Sequence, residues 1–169
     1  MKTPPLPLQY LSAYPASLQQ QVQSLIENNQ LADYLTRKYP QQHEIRSDKA
    51  LRGYVMVLKN RHMRKSPVLN HVAFDNRLHV IHNALGVHKR RSQVQGGKLK
   101  RKQEILIASS FKKAPAALLE MIVVHELAHL KEHEHNKNFY ALCEYMLPDY
   151  HQRELGMRIY LLHQALKAL

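Results

Sequence analysis

Residues 125–129, with the sequence HELAH, place two imidazoles and a carboxylate at a spacing suited to metal chemistry. On a helix, residues four apart lie on one face, so His125 and His129 can both reach a single ion. Glu126 stands beside them and can reach a water on that ion without being a ligand. The HExxH pattern is typical of metal-assisted hydrolysis, in which the glutamate acts as the general base.

The residues around this pattern predict a buried helix. Residues 116–130, AALLEMIVVHELAHL, are rich in good helix formers, and Pro115 suits a first helical turn. Apolar residues cover most of the helix surface, which indicates burial. Two histidines and a glutamate are costly to bury without a partner, and a metal ion would supply one. The alternative is a core helix whose histidines bond to the backbone or to neighbours.

A catalytic zinc site usually takes a third protein ligand and leaves one position for water. His133 continues the same face, but on a straight helix its Cα would lie about 12 Å from that of His125. His135 is better placed if the helix breaks just before it, because Asn136 can cap a new helix that begins at Lys137. The alternative third ligands are Glu144 and Glu154.

Residues 123–150, VVHELAHLKEHEHNKNFYALCEYMLPDY, resemble the YgjP-like proteins, a family of small bacterial metal-dependent hydrolases. The resemblance rests on HELAHL, on a following histidine with a small polar and an aromatic residue after it, and on the final Pro-Asp-Tyr. It implies that His125, His129 and His135 hold the metal and that Glu126 is the catalytic glutamate. The expected metal is Zn²⁺, and Ni²⁺ or another divalent ion also suits three imidazoles.

The length of the chain predicts one domain over residues 1–169, and the spacing of apolar residues predicts the α+β class. Its parts are a helical part over 1–66, a β region over 67–112, and the HExxH helix with C-terminal helices over 113–169. In the first part, Ser47 or Asp48 can cap a helix that follows them in the sequence. Together with the resemblance, this order predicts a zincin-like fold with a small, twisted and mostly antiparallel sheet.

The β region carries two strand signals. Residues 68–74 and 77–82 flank a turn at Asp75-Asn76, which predicts a hairpin. Residues 104–109, EILIAS, predict a short apolar strand directly before the catalytic helix. By resemblance to zincins, that strand or a neighbour would lie at a sheet edge and bind an extended substrate by strand addition.

Basic residues dominate the charge of the chain, because 25 Lys and Arg stand against 13 Asp and Glu, for a net charge of +12. This balance favours anionic partners such as nucleotides or nucleic acid. The loop 89–102 is rich in Lys and Arg and has no acidic residue. The candidates for binding substrate or a developing negative charge are Lys98, Lys100, Arg101, Tyr150 and Arg153.

No apolar run approaches the length that spans a bilayer, and prolines interrupt the segment MKTPPLPLQY where a signal peptide needs a continuous apolar run. The single cysteine, Cys143, excludes an intramolecular disulfide and is expected to be a small core residue. These features predict a cytoplasmic protein with no membrane partner.

Three functions fit these residues. The first is a zinc metallopeptidase-like hydrolase with a peptide or protein substrate. An alternative is a nucleoside triphosphate pyrophosphatase that uses the same metal site and the basic loop, where Gly96-Gly97 offers backbone N–H groups to phosphate. A further alternative is a nucleic-acid-binding module with a structural metal. For that alternative, a chain with no Trp and three Phe gives little sign of a base-stacking platform.

Overall fold

The computed structural model describes residues 6–78, 86–95 and 98–168, with side chains for residues 8–78 and 103–168. Two compact units divide the chain. One is Gln42–Tyr150, and the other combines the residues up to Gln41 with those from His151 onward. The HExxH segment and the residues around it belong to the larger unit.

Helices fill the N-terminal part, as predicted. A 3-10 helix, Leu6–Leu11, precedes α1 (Ala16–Glu27), α2 (Leu31–Lys38) and α3 (Asp48–His62). Ser47 caps α3, because its Oγ accepts a hydrogen bond from the Ala50 N–H at 3.1 Å. Asp48, the other predicted cap, instead accepts the N–H of Phe74 at 2.9 Å and so ties α3 to the sheet.

The sheet has three described strands, β1 (His71–Asp75), β2 (Gly86–Gln95) and β3 (Lys98–Ala108), in the order β1-β3-β2. β2 and β3 are antiparallel, whereas β1 pairs with β3 in parallel. The sheet is therefore mixed, and the predicted antiparallel pairing holds for β2 and β3 alone.

Among the described residues, the first strand of the predicted hairpin of residues 68–74 with 77–82 pairs with β3, and the hairpin itself stays a prediction. The register aligns buried residues of the two strands, Val72 with Ile105 and Ala73 with Leu106. The pairing places buried apolar residues of two distant segments side by side. A turn signal reports only on neighbouring residues, so it cannot predict this pairing. Most of the second predicted strand lies outside the described residues.

β3 is the central strand, so the expectation that residues 104–109 form a sheet edge is wrong. Residues 105–108 are at most 5% exposed, and residues 105–107 have strand partners on both sides. They have no free backbone edge for an extended substrate, and the outer described strands are β1 and β2. Within the described part of the chain, residues 98–102 have strand partners in β2 only.

Three α-helices follow the sheet. A 3-10 helix, Ser109–Lys113, leads to α4 (Ala116–Ala128), α5 (Lys137–Met146) and α6 (Tyr150–Lys167). The HExxH helix, α4, is a core element, because nine of its thirteen residues are buried. Among the described helices, none combines the length and apolar character that crossing a membrane requires.

Candidate metal centre

The C-terminal end of α4 carries both histidines of the HELAH segment. The helix ends at Ala128, earlier than predicted, and His129 follows as its C-cap with right-handed helical dihedrals (φ −66°, ψ −13°). His129 therefore keeps its position one turn after His125 although the helix stops there. Both histidine side chains are half-buried.

The chain reverses after His129 and brings His135 back to the end of α4. Asn136 caps α5, as predicted, because its Oδ1 accepts a hydrogen bond from the Phe139 N–H at 2.9 Å. His135 stands just before this cap. Its Nε2 lies 3.0 Å from Nε2 of His129 and 3.2 Å from Nε2 of His125. The structure thus brings the three predicted imidazoles together.

The separations between these nitrogens fit one metal ion. Nitrogens about 2.0–2.1 Å from a tetrahedral zinc ion stand about 3.3 Å apart, close to the 3.0 and 3.2 Å found here. Among residues whose side chains are described, the three histidines form a group whose possible ligand atoms lie within 4.8 Å of one another. His135 is exposed, so solvent reaches the cluster from its side.

In two of the three histidines, the ring nitrogen that faces away from the cluster has a hydrogen-bond partner. Nδ1 of His125 lies 2.7 Å from Oη of Tyr150, and Nδ1 of His129 lies 2.9 Å from the backbone oxygen of Glu132. A carbonyl oxygen only accepts, so Nδ1 of His129 carries the ring proton and Nε2 keeps its lone pair for a metal. Burial lowers the pKa of His129, which also favours the neutral form that binds metal.

Phe139 forms an apolar floor under the three imidazoles. Its ring centroid lies 4.5 Å from that of His129 and 4.9 Å from those of His125 and His135. Its side chain is wholly buried, so its packing restricts how the imidazole rings can turn. Phe139 was not among the predicted site residues. Its signal in the sequence is an aromatic residue in the first turn after a capping Asn.

The carboxylate of Glu126 lies beside the cluster and is 1% exposed. Its Oε1 is 4.0 Å from Nε2 of His125, and its Oε2 has no hydrogen-bond partner among the described residues. Burial raises the pKa of Glu126 to about 8. A carboxylate with an unused acceptor beside three imidazoles is placed to take a proton from a water molecule at the site.

The alternative third ligands are not part of this cluster. His133 and Glu144 are exposed, and neither belongs to the converging group of described side chains. Glu154 lies on α6, in the other compact unit. The turn after α4 brings His135 to the His125–His129 pair, whereas a straight helix would carry His133 past it.

The predicted substrate-binding residues are scattered over three elements. Lys98, Lys100 and Arg101 lie on β3, in the part whose described strand partners are all in β2. Arg153 lies on α6, in the smaller unit. Tyr150 is wholly buried, and its hydroxyl contacts the ring nitrogen of His125 that faces away from the cluster. The expectation that Tyr150 binds substrate stays a prediction.

Comparison with known proteins agrees with the resemblance. The model of the YgjP-like family, described as a YgjP-like metallopeptidase domain, matches residues 20–159. A UTP pyrophosphatase of Escherichia coli (strain K12) is 53% identical over 154 residues, which cover 91% of this chain and 92% of that protein. No solved structure matches the chain, so the zincin-like fold stays a prediction. The chain belongs to the YgjP-like family.

Proposed function

We propose that this chain is a metal-dependent hydrolase that cleaves a phosphoanhydride bond of a nucleoside triphosphate. The observation that carries the proposal is the convergence of three histidine Nε2 atoms beside the buried carboxylate of Glu126. That arrangement has the ligands and the base of a hydrolytic metal site. A nucleotide substrate is supported by the 53% identical relative, which is named UTP pyrophosphatase.

Each residue of the site has a defined task in this proposal. His125, His129 and His135 would hold the ion through Nε2. A divalent ion bound there would supply a water of lowered pKa and a positive charge that stabilises the oxygens of the attacked phosphoryl group. Glu126 takes the proton of the attacking water and returns it to the leaving group. Because Glu126 is buried, its carboxylate is a stronger base than an exposed one.

The proposed reaction consumes one water for each nucleotide. The water oxygen bonds to the α-phosphorus, and the bond from that phosphorus to the bridging oxygen breaks. The proton taken up by Glu126 leaves with the diphosphate. The products are a nucleoside monophosphate and diphosphate, so product analysis distinguishes this reaction from release of the terminal phosphate.

The charge of the chain supports an anionic substrate. A net charge of +12 raises the local concentration of a polyphosphate at the protein surface. Lys98, Lys100 and Arg101 lie on β3. We expect Lys98 and Lys100 to bind phosphate. Gly96-Gly97, the predicted phosphate-binding turn, lies outside the described residues.

Peptide hydrolysis is the second candidate function. The family model is described as a metallopeptidase domain, and the same ion and glutamate can serve attack on a carbonyl carbon. Among the described strands, β1 and β2 are the outer ones and could accept an extended peptide. The sequence alternative of a nucleic-acid-binding module stays a prediction.

A panel of substrates separates these functions. Zinc-loaded protein, and a second sample loaded with nickel, are incubated with UTP, CTP, ATP, GTP and an unfolded protein such as casein. We expect UTP to give UMP and diphosphate, and casein to stay intact. In a Lys98→Gln/Lys100→Gln double variant, we expect the KM for UTP to rise while zinc content is unchanged. Cleavage of casein with UTP intact would overturn the proposal in favour of a peptidase.

A further inference from the structure

Tyr150 supports His125 from the side opposite the metal cluster. Its Oη lies 2.7 Å from Nδ1 of His125, and its side chain is wholly buried. The two ring planes differ by only 17°, and the ring centroids are 6.4 Å apart. This arrangement fits a hydrogen bond that lies in the plane of the imidazole. It does not fit face-to-face stacking, because stacked rings would lie closer together.

The backbone turn between α5 and α6 places this hydroxyl. Tyr150 is the first residue of α6, and its N–H donates to the carbonyl of Leu147 at 2.9 Å. Leu147 is itself buried, and the Tyr150 ring lies 6.3 Å from that of Tyr140. Since the backbone turn and the packing hold the ring, little conformational entropy is lost when the hydroxyl bonds to His125.

The two ring nitrogens of His125 have different environments. Nε2 points into the cluster, where it must have a free lone pair to bind a metal, so Nδ1 must then carry the ring proton. That N–H is buried against Tyr150, and its loss of a partner would cost free energy in the metal-bound state. The hydroxyl of Tyr150 can accept this hydrogen bond and remain uncharged.

We propose that Tyr150 is a positioning residue that holds His125 with Nδ1 protonated and Nε2 directed at the metal. The backbone carbonyl of Glu132 does the same for His129. Both acceptors are neutral, so neither offsets the positive charge of the ion as a carboxylate would. The inference rests on the metal site of the proposed function, but it does not depend on which substrate is hydrolysed.

The test measures zinc affinity, by competition with a chelator, for wild type, Tyr150→Phe and Tyr160→Phe. Tyr160 is also a buried tyrosine of α6, so its variant controls for the loss of a hydroxyl. We expect Tyr150→Phe to bind zinc about 10–100-fold more weakly and Tyr160→Phe to bind as wild type does. Wild-type affinity in Tyr150→Phe, or an equal loss in Tyr160→Phe, would overturn the proposal.

A second measurement remains informative if Tyr150→Phe folds poorly. In zinc-loaded wild type, nitrogen NMR of the imidazoles reports which ring nitrogen carries the proton. We expect His125 to be protonated at Nδ1, with a proton that exchanges slowly because it is buried against Tyr150. A zinc-loaded protein in which His125 is protonated at Nε2 would contradict the proposal, whatever nucleotide the enzyme does or does not cleave.

Discussion

Nε2 of His135 lies 3.2 Å from Nε2 of His125, although ten residues separate the two histidines. His125 stands on α4, whereas His135 lies in the turn that leads to α5. Their approach therefore depends on the path of residues 129–136 and not on helix periodicity. His129, one turn after His125, completes the cluster at 3.0 Å from His135. The cluster consists of two imidazoles fixed by helix geometry and a third imidazole fixed by a capped turn.

Removing the third imidazole tests the turn directly. His135→Ala is expected to lose more zinc affinity than the roughly 10–100-fold typical of residues that only support a ligand. His133→Ala is the matched control, since His133 is exposed and lies outside the converging group of described side chains. Zinc content after dialysis, measured by elemental analysis, checks both variants. Equal zinc content in the two would show that His135 is not a ligand.

The cap of α5 links local stability to the metal site. Asn136→Ala removes the acceptor of the Phe139 N–H and is expected to lower the free energy of unfolding by about 1 kcal/mol. It should also weaken zinc binding, because His135 immediately precedes the cap. Asn138→Ala, an exposed change two residues later, should do neither. Asn136→Asp keeps an acceptor oxygen and should restore stability, as urea unfolding would show.

The stability of the metal-free protein is expected to depend on pH through Glu126. Burial raises the pKa of Glu126 from 4.5 to about 8, so between those values the folded protein keeps a proton that the unfolded chain has lost. The stability contributed by this proton is full below pH 4.5 and disappears as pH rises toward 8. Relative to Glu126→Gln, chelator-treated wild type should lose stability from pH 5 to 8. Urea unfolding measures this difference. The expectation would be refuted if the free energy of unfolding of the two proteins changed with pH in parallel.

Two helical glycines are expected to respond oppositely to alanine. A Cβ on Gly53 would meet nothing within 4 Å, whereas a Cβ on Gly156 would lie 2.6 Å from Cε2 and Cζ of Tyr39. Gly53→Ala should stabilise the protein by about 0.5–1 kcal/mol because alanine loses less backbone entropy. Gly156→Ala should destabilise it by about 1–3 kcal/mol through overpacking. Urea unfolding checks both variants. If the free energy of unfolding changed with the same sign in both, the packing described here would be contradicted.

Local signals predicted those parts of the site that depend on local geometry. The four-residue spacing of His125 and His129 is a property of one helix. The side chain of Asn136 determines where α5 begins, so Lys137 was predictable as its first residue. His135 could be preferred to His133 because a straight helix carries His133 past the pair.

Contacts between distant segments could not be predicted in the same way. The parallel pairing of β1 with β3 joins residues about thirty positions apart, and the apolar pattern of β1 suits a hairpin equally well. The contact of Tyr150 with His125 depends on the turn at Leu147, which no spacing rule specifies. Phe139 has the sequence pattern of an ordinary core residue, and its position under three imidazoles emerges only from the packing.

The most direct test of the proposed function compares UTP turnover by wild type and Glu126→Gln at equal bound zinc. Glu126 lies beside the three converging imidazoles but does not belong to that group, so the variant should retain zinc. Loss of the general base is expected to lower kcat by about 10²–10⁴-fold. Turnover within a few-fold of wild type, at matched zinc content, would contradict the assignment of Glu126 and the hydrolytic site built around it.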